Sequence, residues 1–257
     1  MSLLLILKAT LSPTLVTLAS LGARRYGPRF AGWLAGFPIV AGPILLFFSL
    51  EQGPAFAASA AGSTLLGLVS LSAFCLVYGV CAATVAKPRR WWLAMLAGWL
   101  AFLGLTAAQV SFRPGTVIGF GLAIVALNGV ARLLPKPVGE AARVVPGRWD
   151  IPSRVVATAT LVLSLTGLAH LLGPKVSGLL TPFPVASTIL VVFAHKEGGP
   201  VAVLGLLRGL LAGLQTFAAF CLVLAYALPA WGVTRAFLAA LSVSVSLQYI
   251  VLRRGGR

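Results

Sequence analysis

Glu51 and Glu197 are two of only four acidic side chains in a chain of 257 residues, and both stand in the same string, Glu-x-Gly-Pro. A carboxylate there has two available uses. It favours the positive end of the following helix, whose first turn Pro54 or Pro200 suits, or it gates or couples by pairing with a basic side chain when one face closes. Arg208 lies eight residues beyond Pro200, roughly 12 Å into an apolar helix at about 1.5 Å per residue. A charge at that depth either binds or gates an anion or snorkels to the headgroups. His170 and His195 fall near span ends and read as interfacial. Gln109, Asn128, Gln215 and Gln248 satisfy neighbouring helices, whereas Ser187 and Thr188 are placed to line a site. Catalysis has no footing. There is no phosphate-cradling Gly-Lys-Ser/Thr loop, no His-Glu pair at metal spacing and no acid pair at a shared depth. Cys75, Cys81 and Cys221 lie in apolar segments without a CxxC and read as small core residues. No enzyme activity, cofactor or metal site is expected.

What would position these residues is a pair of interrupted helices. The run "FPIVAGPILLFFSLEQGP", 37–54, is broken by Pro38, Gly42 and Pro43. Counted from Arg29, Pro38 falls about 13 Å along at 1.5 Å per residue, near mid-membrane. Pro182 and Pro184 break the corresponding run later in the chain. Proline removes a backbone donor and clashes with the preceding turn. Irregular backbone is tolerated at that depth only where it is buried or lines a cavity, so the breaks point to a central transport site. Its candidate substrate-binding residues are Pro38, Gly42, Pro43, Pro184, Ser187, Thr188 and Arg208, with Glu51 and Glu197 as gating or coupling residues. The competing reading is that the prolines only bend helices for packing.

The elements carrying these residues belong in a bilayer. With 59% hydrophobic and 9% charged residues, a water-soluble fold would leave large apolar surfaces bare. Apolar runs of spanning length number about nine, at roughly 3–22, 30–50, 55–84, 91–110, 115–133, 153–172, 176–195, 201–228 and 231–251. The opening MSLLLILK lacks a basic leader and reads as a retained first helix, not a signal peptide. A net charge of +16 in a soluble protein would point to nucleic acid, but its placement excludes that here. Arg24, Arg25 and Arg29 follow the first span, and Lys87, Arg89 and Arg90 the third. Arg132, Lys136, Arg143, Arg148 and Arg154 surround the longest loop, and Arg253, Arg254 and Arg257 end the chain. The alternate loops hold little beyond Arg113, Lys175 and Arg235, so the N-terminus is expected outside and the C-terminus in the cytoplasm.

An internal repeat organises the spans. Shifted by 146 positions, "YGPRFAGWLAGFPIVAGPILLFFSLEQGP" lies on "LGPKVSGLLTPFPVASTILVVFAHKEGGP" without a gap. Gly27 and Pro28 meet Gly173 and Pro174, Pro38 meets Pro184, Glu51 meets Glu197, and "FCLV" at 74–77 meets "FCLV" at 220–223. The expected fold is all-α, a polytopic transmembrane helical bundle of about nine helices. Residues 1–112 form one four-helix repeat, 113–152 a linker helix and cytoplasmic loop, and 153–257 a second repeat. The single extra crossing inverts the second repeat relative to the first.

The pattern Gly32, Phe37-Pro38, Glu51, Gly53, repeated as Gly178, Phe183-Pro184, Glu197, Gly199, resembles the GlpM-like small bacterial inner-membrane proteins. Family members look like single four-helix units, so the resemblance implies two fused units in a bacterial inner (cytoplasmic) membrane. It also implies a link to exopolysaccharide (alginate) production, and it carries over no catalytic residue. The expected function is a secondary transporter or facilitator for a small anionic or neutral solute, or a lipid headgroup, since buried acids suited to cations or proton relays are scarce. The alternative is a non-transporting scaffold subunit for an envelope polysaccharide machine. Expected partners are the lipid bilayer and a small-molecule substrate, with room for a homo-oligomer and none for nucleic acid.

Overall fold

A computed structural model describes residues 37–84, 90–136 and 149–255, with Leu7, Lys8, Thr10, Leu11, Thr14, Thr17, Leu34 and Gly139 besides. The loop cations Arg24, Arg25, Arg29, Lys87, Arg89, Arg143, Arg148 and Arg257, and the repeat positions Gly27, Pro28 and Gly32, lie outside them. The described residues form helices and connecting turns, with no strand among them. In order these are α1 (Ala41–Glu51), α2 (Pro54–Thr84), α3 (Trp91–Gln109), α4 (Thr116–Leu133), α5 (Asp150–Leu180) and α6 (Val185–Gly255). Five of them are long and apolar enough to cross a membrane.

The two longest runs are not single rods. Helical geometry is lost in α5 at Gly173 (φ 69°, ψ 169°) and in α6 at Gly199 (φ 63°, ψ −164°) and Gly232 (φ 73°, ψ 177°). Gly53, between α1 and α2, has φ 91°. Only glycine takes this region without a steric cost. At Gly53, Gly173 and Gly199 the next residue is Pro54, Pro174 or Pro200, whose missing N–H is one a helix start does not need. Each Gly-Pro therefore ends one helix and starts another with no loop between. α6 becomes three pieces, 185–198, 200–231 and 233–255.

α2 packs against each of the other five helices, and small residues let it do so. A Cβ added to Gly67 would lie 2.5 Å from the Leu179 carbonyl oxygen, and one added to Gly178 would collide with the Ala60 carbonyl. Thr64 Oγ1 donates across the same contact to the Gly178 carbonyl at 3.1 Å. Backbone approach and side-chain hydrogen bonds of this kind hold helices together in lipid, where apolar burial gives no net drive. The core runs from Ile44, Phe47 and Phe48 through Leu65, Phe74 and Tyr78 to Leu207, Leu211 and Phe220. The outer helices present large apolar side chains outward instead, including Leu100 (70% exposed), Val125 (71%) and Leu171 (72%). Outward exposure on that scale is what a lipid-facing surface requires.

Candidate functional site

The turns at the two expected breaks carry the same hydrogen bonds 146 positions apart. Phe37 N donates to Leu34 O (3.1 Å), Ile39 N to Phe37 O (2.7 Å) and Gly42 N to Pro38 O (3.0 Å); Phe183 N donates to Leu180 O (2.9 Å), Val185 N to Phe183 O (2.8 Å) and Thr188 N to Pro184 O (2.8 Å). Each pattern is a helix end, a tight three-residue turn and a new helix whose first carbonyl comes from the proline. Pro43 falls in the first turn of α1, where no donor is lost. The chain absorbs Pro38 and Pro184 by stopping and restarting.

Between the breaks lies a cavity of about 60 Å³. From the first break Phe37, Val40 and Ala41 face it; from the second, Thr181, Phe183 and Ser187 do. Leu71 of α2 and Phe217 of the 200–231 piece close its sides. Three pairs of these residues are separated by the repeat shift: Phe37 with Phe183, Ala41 with Ser187, and Leu71 with Phe217. Phe183 is held from behind by Trp99 and Phe102, with ring centroids 5.7 and 5.3 Å away. The walls are mostly apolar, and the polar groups are the hydroxyls of Thr181 and Ser187. Thr181 Oγ1 is directed to its own helix, donating to the Ser177 carbonyl at 2.7 Å.

The sequence candidates separate here. Ser187 lines the cavity. Thr188, one residue on, accepts from Trp99 Nε1 at 3.0 Å and serves to tie α3 to the second break. Pro38 and Pro184 shape the turns and Gly42 and Pro43 begin α1, all buried but none among the cavity's lining residues. Arg208 is elsewhere. Its Nη1 donates to Ala131 O at 3.2 Å, and its Nη2 to Leu134 O at 2.8 Å and Pro135 O at 3.2 Å. It therefore covers the carbonyls at the C-terminus of α4, the end that favours a cation. Glu51 pairs with Lys8 at 2.7 Å, and Lys8 is only 5% exposed. Glu197 is exposed, just ahead of the Gly199 corner.

His195 departs from expectation. It is buried (1% exposed), with Nδ1 3.4 Å from the Tyr78 hydroxyl, so it belongs to the core and not to the interface. Phe37, Thr181, Phe183, Leu71 and Phe217 were not singled out by residue type. The signal that could have found them is the repeat register, which pairs an aromatic at 37 with one at 183. Gln215 donates to the side-chain carbonyl of Asn128 at 3.3 Å, joining α6 to α4 as polar residues in lipid commonly do. No protein-family model, curated protein or solved structure matches the chain.

Proposed function

We propose that the chain is a secondary transporter or facilitator made of nine membrane-crossing segments. Two inverted four-helix units are joined by α4, and a small anionic or neutral solute, or a lipid headgroup, passes between the two breaks. The carrying observation is the cavity: each repeat gives equivalent side chains to one space, beside helices interrupted in the same way. Carriers of this design place the substrate between paired interrupted helices. Inversion is supported by which ends touch. Lys8 with Glu51, and Lys175 Nζ with the Phe112 carbonyl (2.8 Å), join ends that the charge pattern assigns to the outside. Lys196 over the Trp91 ring (4.4 Å), and Arg208 with Leu134, join ends it assigns to the cytoplasm. No contact of this set crosses between the two groups. The inner-membrane location and outward N-terminus rest on the same cations, and the fused-unit reading rests on the GlpM-like pattern.

At about 60 Å³ the cavity is far below the roughly 300–1,000 Å³ of typical small-molecule pockets. Transport requires the walls to part. The same tightness favours the second reading, a scaffold subunit whose breaks exist for packing. Single cysteines separate the two readings without knowledge of the substrate. Ala41→Cys and Ser187→Cys are made in a chain with Cys75, Cys81 and Cys221 replaced by Ala, and impermeant thiol reagents are applied from each side. A carrier exposes these positions to both sides. Labelling from neither side, in a chain that is folded and inserted, removes the transport reading and leaves the scaffold.

A further inference from the structure

A second, larger space of about 400 Å³ lies away from the breaks, where the turn between α3 and α4 meets the Gly173-Pro174 corner. Its lining includes Arg113, Lys175, Ser59, Ser63, Thr116 and Gly62, and no acidic residue. Lys175 is anchored by donating to the Phe112 carbonyl at 2.8 Å. Arg113 is exposed and makes no hydrogen bond or ion pair to another described residue. Desolvation, and then the charge of Arg113, push the Lys175 ammonium below its ordinary range. Two cations thus face one volume with nothing negative between them.

The repeat explains why the space is open. Gly62 and Arg208 are separated by the 146-residue shift, and they meet opposite ends of α4. At the C-terminal end Arg208 supplies a cation to the carbonyls of Ala131, Leu134 and Pro135. At the N-terminal end Gly62 has no side chain to offer, and a Cβ there would already stand 3.2 Å from Thr116 Oγ1. The N-cap is Gly115, which gives no side-chain acceptor to the first N–H groups of α4. One end of the connector is satisfied from within the protein. The other pairs an uncapped amide end with two cations and three hydroxyls lining one space.

We propose that this vestibule binds a phosphate group. Several oxygens around one tetrahedral centre can take donors from a guanidinium, an ammonium, hydroxyls and a helix start together. A volume of this size also holds more than a halide. The chemistry is shared by a soluble phosphate ester and a phosphomonoester lipid headgroup, and the site stands whether or not the chain carries a solute across.

The test uses the purified full chain with two probes: radiolabelled inorganic phosphate by equilibrium dialysis in uncharged detergent, and phosphatidic acid retained from phosphatidylcholine nanodiscs by native mass spectrometry. Binding of inorganic phosphate identifies a soluble anion. Retention of phosphatidic acid alone, in preference to phosphatidylcholine, identifies a headgroup. In either arm Arg113→Gln with Lys175→Gln, both outside the core, weakens binding by at least about tenfold, the loss expected when charged donors are removed. Gly62→Leu keeps the charges and fills the space, and abolishes binding. If Gly62→Leu does not fold, the charge variant decides alone. No binding of either probe, equal retention of the two lipids, or binding unchanged in the charge variant overturns the proposal.

Discussion

Adding one methyl group at Gly67 should destabilise the protein through a contact that cannot relax cheaply. The new Cβ would stand 2.5 Å from the Leu179 carbonyl oxygen and 2.6 and 3.0 Å from Cγ and Cδ of Pro182, where ordinary contact begins near 3.4 Å. Neither neighbour is the free end of a flexible side chain, so α2 must move away from the second break by several tenths of an ångström. Overpacking of this kind costs about 1–3 kcal/mol, which for a chain of this size lowers the melting temperature by roughly 2–10 °C. Gly104→Ala is the control, because an added Cβ there meets nothing within 4 Å and helix propensity alone should leave stability equal or slightly higher. Thermal unfolding in detergent, followed by circular dichroism and by loss of the monodisperse peak in size-exclusion chromatography, reads both variants. If Gly67→Ala melts together with Gly104→Ala, the close approach of α2 to the second break is wrong, and with it the walls of the cavity.

Two further outcomes are expected. Glu51→Gln leaves the buried Lys8 ammonium without its carboxylate and should cost about 1–3 kcal/mol, below the full range for buried pairs because the Glu51 side chain is 24% exposed; the exchange Lys8→Glu with Glu51→Lys should recover most of it, and failure of the exchange argues that packing, not charge, sets the site. Arg208→Gln and Arg208→Lys should both lower the melting temperature, since three carbonyls spread over 131–135 need the guanidinium fork. Normal stability in both, with solute flux lost, would show that Arg208 serves a substrate and not the end of α4.

The parts of the fold that could be read from sequence are those written locally. Apolar length marks the five long helices, and Pro38 and Pro184 mark the breaks, because proline removes a backbone donor and clashes with the preceding turn; it does not end every helix, since Pro229 lies inside the 200–231 piece. Pro54 and Pro200 marked helix starts for an equally local reason. Long-range partners were not readable. The depth of Arg208 is readable along its own helix, but its hydrogen-bond partners are carbonyls more than 70 positions earlier in the chain, which no periodicity announces. Lys8 and Glu51 are 43 positions apart, and only the folded chain brings them together. His195 falls at the end of an apolar run yet is buried, because the helix continues past it to the corner at Gly199. At the cavity, residue type favoured the hydroxyls of Ser187 and Thr188. Helical rotation then sent the first to the space and the second to Trp99.

The corner at Gly199 has a mechanical consequence. A joint of one residue holds no spare chain, so the segment restarting at Val185 and the piece over 200–231 cannot drift apart. Each contributes to the wall of the same small chamber, Ser187 from one and Phe217 from the other. A change in the angle between them at Gly199 therefore alters the spacing of Ser187 and Phe217, with the corner as the pivot. Lengthening the corner with a few flexible residues would remove that fixed pivot.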